Sequence, residues 1–173
     1  MPELFLMIGL PGAGKTTKAR RIAAERRAVR LTPDEWVIPL FGAEVDGKRD
    51  ILEGRLLTLG LEALRAGADV VVDFGCWSRD ERSAIRALAA SAGATCHLVY
   101  LPVDHETQSA RIAHRWTTTP DQTLPMTEAD ILRDRAGFEE PDPTELDGRA
   151  PDAPPPGWPT WHAWATTRWP SFA

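Results

Sequence analysis

The chain has 173 residues, of which 43% are hydrophobic and 26% charged, with a formal net charge of −5 at pH 7. That length supports one domain with a sizeable core and is short for two, and the composition excludes a disordered or fibrous chain. The acidic balance argues against broad, charge-driven binding to a nucleic-acid duplex or an anionic membrane, while leaving room for a local basic pocket that takes phosphates.

In chain order, Leu4 to Ile8 is a short apolar run that reads as a buried strand, ending at a glycine-rich turn from Gly9 to Thr16. Thr17 to Arg27 has helical composition, with Ala19, Ile22 and Ala23 on its apolar side. Ala28 to Leu31 is a second strand, stopped by Pro33, which holds Asp34 close to a strand's carboxyl end. Asp50 to Ala66 reads as a longer helix followed by Gly67. Ala68 to Phe74 contains Val70, Val71 and Val72, the β-branched run of a central parallel strand covered on both faces. Ser78 and Glu81 form a capping box for a helix to about Ala92. Thr95 to Val103 is another strand, and Asp104 caps a helix from His105 to Trp116.

Strands alternating with helices predict βαβ units and an α/β fold with a parallel, doubly wound sheet. Thr117 to Thr127 is then a loop with Pro120 and Pro125, and a short helix runs from Glu128 to Ala136; together they suggest a lid over about 117–136. From Pro141 the chain carries eight of its fifteen prolines and four of its seven tryptophans, Trp158, Trp161, Trp164 and Trp169. The prolines rule out one long helix there. Trp161 to Thr167 is a candidate last edge strand, and the tryptophans either pin the tail against the domain or form a surface for a partner. The domain is thus expected over 1–146, with a Pro/Trp-rich tail over 147–173. Cys76 and Cys96 read as reduced thiols of a cytoplasmic protein. No apolar stretch approaches roughly 18 residues, and Leu4 opens an apolar run with no basic leader before it, so neither membrane spanning nor secretion is expected.

The turn Gly9-Leu10-Pro11-Gly12-Ala13-Gly14-Lys15-Thr16 matches the Walker A pattern at every required position. Its glycines let backbone N–H groups turn inward around the α- and β-phosphates, Lys15 reaches the β- and γ-phosphates, and the Thr16 hydroxyl ligates Mg²⁺. Thr17 is placed to support the α-phosphate. The helix that opens near Lys15 adds its positive end to the same anion. Nucleotide binding is therefore expected, with ATP and Mg²⁺ as cofactors.

Two acids stand at the carboxyl ends of predicted strands, Asp34 and Asp73, on the edge where open parallel sheets bind ligands. Asp73 reads either as a holder of metal or acceptor or as a cap for the following loop. Asp34 reads either as the base facing an acceptor hydroxyl or as the N-cap of a short helix through Trp36. Arg111 and Arg115 lie four apart on one helix face before the Thr/Pro-rich loop, the geometry of two donors closing on a triphosphate or of a plain surface pair. Trp36, Trp77 and Arg79 are candidates for the acceptor side. Trp77 either stacks on a ring or packs under the helix, and Arg79 either binds an acceptor phosphate or pairs with Asp80 or Glu81.

The stretches Gly9 to Thr17, Thr32 to Trp36 and Val71 to Arg82 together resemble bacterial P-loop proteins labelled AAA-family ATPases. These are similar to chloramphenicol phosphotransferase, zeta-type toxins and the kinase domain of polynucleotide kinase. The resemblance covers about Glu3 to Leu146. It implies a P-loop NTPase fold with a parallel five-stranded sheet in the order 2-3-1-4-5 and helices on both faces. It also implies Lys15 and Thr16 as nucleotide and Mg²⁺ ligands, Asp34 as the acceptor-activating carboxylate, Asp73 as the acid after the third strand, and Arg115 as the lid arginine. The expected activity is transfer of the γ-phosphate of ATP to a hydroxyl of a small molecule, an antibiotic, nucleoside or sugar-like metabolite. The alternatives are a 5'-hydroxyl polynucleotide kinase, a toxin-like kinase with an inhibitory partner, and a nucleotide-binding regulator. A monomer or homodimer is expected.

Overall fold

The computed structural model describes residues 1–42, 47–120 and 123–173. The elements are β1 (Glu3–Ile8), α1 (Lys15–Arg26), β2 (Val29–Leu31), α2 (Asp34–Phe41), α3 (Lys48–Arg65), β3 (Val70–Gly75), α4 (Arg79–Ser91), β4 (Thr95–Tyr100), α5 (His105–Thr118), α6 (Glu128–Gly137), α7 (Pro143–Leu146) and α8 (Trp161–Arg168). Residues 121 and 122 of the predicted lid lie outside the described residues; α5 and α6 flank them. All pairings in the sheet are parallel, in the order β2-β3-β1-β4.

The strand period sorts the core into two layers. Leu4, Leu6, Ile8, Val70, Val72 and Phe74 face one way, into a cluster shared with Leu52, Leu56, Leu57 and Leu61 of α3 and Ala84, Ile85 and Leu88 of α4. Met7 and Val71 face the other way, against Ala19 and Ile22 of α1. Side chains alternate across a strand, so a continuous apolar run is what a sheet covered on both faces needs. Val70, Val71 and Val72 are completely buried.

The expected sheet order holds for four strands, but the fifth strand does not form among the described residues. The candidate edge strand from Trp161 to Thr167 is instead α8. The Thr160 side chain accepts a hydrogen bond from the Ala163 N–H and so caps the start of that helix. Trp161, Ala165 and Trp169 are buried four residues apart, the spacing of one face of a helix. α8 packs on α4, and the chain end lies on α3.

That end sits close. A Cβ on Gly54 of α3 would come within 2.5 Å of Ser171 Oγ and 2.7 Å of the Phe172 backbone nitrogen. Arg168 pairs with Glu81 of α4 at 2.6 Å and with Asp50 of α3 at 2.8 Å. The Trp/Pro-rich tail therefore completes the core on the α3–α4 face of the sheet.

The two capping predictions appear as hydrogen bonds. Ser78 Oγ accepts from the Glu81 N–H while the Glu81 carboxylate accepts from the Ser78 N–H, and the Asp104 carboxylate accepts from the Thr107 N–H. Both cysteines are free thiols. Among the described residues no helix is long and apolar enough to cross a membrane.

Candidate active site

The phosphate loop begins where β1 and β3 lose register. Ile8 pairs with Gly75 after Leu6 pairs with Val72, and the Gly9 N–H donates to the Gly75 carbonyl at 3.2 Å. The start of the loop is thereby tied to the turn after Asp73. Gly9 has φ +148°, and a Cβ there would meet the Leu101 carbonyl oxygen at 2.7 Å, so only glycine fits between β1 and the end of β4. Pro11, Gly12, Ala13 and Gly14 carry the turn to the first residue of α1, Lys15.

Lys15 Nζ donates to the Leu10 carbonyl at 2.9 Å, folded back across the loop it belongs to. Burial pulls its ammonium below the ordinary value. Asp73 and then Asp34 pull it back up, while Arg49 and Arg115 add to the depression. Five charged groups from five places in the chain thus share one electrostatic neighbourhood, four of them expected from the sequence.

Asp73 is buried within β3, two residues before its end at Gly75, and burial raises its carboxyl above the usual range. Lys15 and a hydrogen bond from Thr16 act against that rise. Its Oδ2 is buried and meets no protein donor among the described residues. A carboxylate oxygen left without a partner beside the Thr16 hydroxyl is a fitting place for Mg²⁺ or its water shell, because Mg²⁺ takes one or two protein oxygens and completes its shell with phosphates and water. Among the described residues no cluster of three or more His, Cys, Asp or Glu could hold a metal unaided. The fit therefore depends on a nucleotide supplying the remaining oxygens.

Asp34 opens α2, but α2 has no side-chain cap: Pro33 occupies the cap position and the Asp34 carboxylate is not used there. It forms an ion pair with Arg49 instead. Arg49 also donates to the Phe74 carbonyl at 3.2 Å and pairs with Glu53 at 2.9 Å. Glu35 is held by Arg20 and Arg30, which keep its carboxyl below the usual range.

Arg111 of α5 donates to the Gly12 carbonyl at 3.1 Å, and Arg115, one turn on, is exposed with its charge felt at Lys15. Thr17 is exposed in the first turn of α1. Trp36 projects from α2 with 46% of its surface exposed. Trp77 is half-buried, its indole lying over Gly75, where a Cβ would be 3.2 Å from Nε1. Cys76 between them holds φ +45°, a left-handed conformation that costs a non-glycine residue about 1 kcal/mol or more. Arg79 is placed differently from the rest. Its guanidinium pairs with Asp142 at 2.6 Å and Asp152 at 3.1 Å, partners from the chain after α6.

Three residues of this region escaped the sequence reading. Arg49 and Glu53 lie four apart on α3, and the signal for them is a cation in the first helical turn, where the macrodipole disfavours it, and a carboxylate among buried positions. Arg82 is fully buried on α4. It makes a two-pronged pair with Glu145 at 2.9 Å for each contact and donates to the carbonyls of Cys76, Trp77 and Glu139, so it staples the turn after β3 in place.

A phosphate loop between strand and helix, with a lysine, a hydroxyl and two strand-end carboxylates around it on a parallel sheet, defines a P-loop protein of the kinase-like kind. Residues 4–141 match the family model described as AAA domain, and the chain belongs to that family. A search of curated proteins finds no match. Among solved structures, the chain is similar to a provisionally named kinase from Chloroflexus aurantiacus (TM-score 0.66, 18% identity, 92% of this chain and 85% of that one). It is also similar to Kti12 of Chaetomium thermophilum in complex with ADP-AlF3 (TM-score 0.61, 18% identity, 82% of each chain). A third similarity is to a gluconokinase from Sinorhizobium meliloti (TM-score 0.56, 19% identity, 82% and 78%). At these identities the likeness is one of fold.

Proposed function

We propose that the protein is an ATP-dependent phosphotransferase that moves the γ-phosphate to a hydroxyl of a small molecule. The observation that carries this reading is the use made of Asp34. Its carboxylate is spared from capping α2, stands within the field of Lys15, and is held by Arg49 on the acceptor side of the phosphate loop.

In the proposed reaction, loop N–H groups and Lys15 bind the β- and γ-phosphates, and Lys15 leaves the Leu10 carbonyl to do so. Mg²⁺, held by Thr16 and Asp73 with the phosphates, would supply charge neutralisation on the transferred group. Asp34 accepts the proton of the acceptor hydroxyl as its oxygen bonds to the γ-phosphorus. The bond from that phosphorus to the β,γ-bridging oxygen breaks, and ADP leaves. Arg115, with Arg111 beside it, offers guanidinium donors to the oxygens on which charge develops. Trp36 and Trp77 give the acceptor side an aromatic character suited to an antibiotic, a nucleoside or a sugar-like metabolite. A gluconokinase among the fold neighbours is in keeping with the last class.

The test is an acceptor screen with labelled ATP and Mg²⁺ over nucleosides, phenicols, aminoglycosides, sugar acids and 5'-hydroxyl oligonucleotides. The reading expects a small molecule to gain one phosphoryl group and to raise ADP release. Labelling confined to the oligonucleotide would overturn the small-molecule assignment, and ADP release indifferent to every acceptor would overturn transfer itself.

A further inference from the structure

The Asp34–Arg49 pair does not end at Arg49. On the far side of the guanidinium lies Glu53, 4% exposed. One of its oxygens takes Arg49 Nε at 2.9 Å, and the other accepts from Trp169 Nε1 at 3.1 Å. Trp169 is 1% exposed and follows α8, so the bond spans 116 residues from the C-terminal tail to α3. The result is a continuous line: the tail indole holds a buried carboxylate, the carboxylate holds a guanidinium, and the guanidinium holds Asp34 and the Phe74 carbonyl next to Asp73.

We infer that Glu53, locked by Trp169, is a positioning residue of the acceptor site, and that the C-terminal tail is thereby part of the transfer machinery. The inference rests on the kinase reading for what Asp34 does, and on the observed contacts for how Asp34 is placed. Arginine is the suitable intermediary because its planar fork can serve two carboxylates and a carbonyl at once. A guanidinium with a long, flexible stem needs a second anchor to present a fixed donor to Asp34, and Glu53 is that anchor. The groups that face Glu53 are Arg49 on its own helix, Trp169 and Arg168 from the tail, and Glu81 of α4. Burial pushes its carboxyl up to about 7, against the pull of Arg49 and of the Trp169 hydrogen bond, so the anchor titrates near neutrality. A carboxylate kept in so unfavourable a place is one whose charge is in use.

The experiment labels arginines in the full-length protein with phenylglyoxal and reads each site by peptide mass spectrometry, in wild type, Glu53→Gln and Trp169→Phe. Glutamine keeps the shape but removes the charge, and with one acceptor oxygen for two donors its NH2 must face either Arg49 or the Trp169 indole. Phenylalanine keeps an aromatic ring but removes the indole N–H. The expected result for E53Q is a rise of about tenfold in labelling at Arg49, the factor given by loss of one charge-assisted hydrogen bond. Arg82, buried elsewhere, serves as the control and should stay protected, and affinity for a fluorescent ADP analogue should stay at the wild-type value. W169F should move Arg49 in the same direction by a smaller factor, and it carries the test if E53Q does not fold. A spectroscopic signature accompanies this: the Trp169 indole N–H resonance should shift as pH passes through 7 in wild type and stay still in E53Q. Unchanged labelling at Arg49 in the variants would overturn the inference, as would a parallel rise at Arg82, which would mean that Glu53 only holds the fold. None of these readouts involves phosphoryl transfer, so a failure of the kinase reading shows separately, in the acceptor screen.

Discussion

At the scale of single residues, Lys15 and Gly9 set the terms of the phosphate loop in different ways. Lys15 is held to Leu10 at 2.9 Å and lies in a field dominated by its own burial and by Asp73. Lys15→Ala should therefore abolish measurable nucleotide binding in a fluorescence titration while leaving thermal stability close to wild type, since a charge with a lowered pKa contributes little to the fold. Gly9→Ala should lower stability. Its new Cβ would meet a backbone oxygen of Leu101 at 2.7 Å in a left-handed conformation, which should cost about 2 kcal/mol or more and lower Tm by roughly 4–8 °C in a calorimeter. The sequence made these two residues legible because the loop's spacing is set by local backbone geometry. It made Asp34 legible for a related reason, because Pro33 ends a strand and strand ends lie at the ligand edge. Arg79 shows the limit of local reasoning: it was expected either to bind an acceptor phosphate or to pair with its neighbours Asp80 or Glu81, and the partners found are Asp142 and Asp152.

At the scale of elements, the interesting helix is α3. The sequence reading began it at Asp50, two residues late, and so left Arg49 in a loop and unassigned. Arg49 in a first helical turn opposes the helix dipole, and its tertiary pair with Asp34 and its pair with Glu53 explain its presence there. Glu53 makes a pH-dependent prediction. Its carboxyl is raised to about 7 in the folded protein, so folding favours the protonated form. The stability tied to that proton is complete below the unfolded carboxyl value, near 4.5, and is lost as pH rises through about 7. Glu53→Gln has no such proton to lose. Its Tm relative to wild type should thus climb by several degrees between pH 5 and pH 8, and a flat difference would contradict a buried, titrating Glu53. On α4, the Arg82–Glu145 pair is almost wholly inaccessible, at 1% and 3%. Glu145→Gln should destabilise the protein by about 3–5 kcal/mol in denaturant unfolding, because it leaves the guanidinium short of a counter-charge.

For the whole molecule, the notable feature is the part of the chain that follows the family match. The AAA domain model ends at residue 141, yet Trp161, Trp169 and Phe172 are core residues on the face of α3 and α4. Trp169→Ala should cost about 3–5 kcal/mol by the cavity it leaves. The prolines of this tail were readable as breaks, and they do break it. Its helix was not read, because Pro159 and Pro170 bracket so few residues that periodicity has little room to show. Trp161, Ala165 and Trp169 nonetheless carry the helical spacing. The sheet, by contrast, was legible almost entirely, since β1 and β3 are largely buried apolar runs between turn residues; the fifth strand, which does not form among the described residues, is the exception, and α8 stands where it was expected.

The central claim is that Asp34 serves the acceptor while Lys15 serves the nucleotide. The direct measurement compares Asp34→Asn with wild type for two quantities, affinity for MgATP and the rate of phosphoryl transfer to an acceptor found in the screen. Affinity should be unchanged and the transfer rate lower by about 10²–10⁴-fold, the loss expected when a general base is removed. Transfer by D34N at a near-normal rate, with nucleotide affinity intact, would contradict that claim.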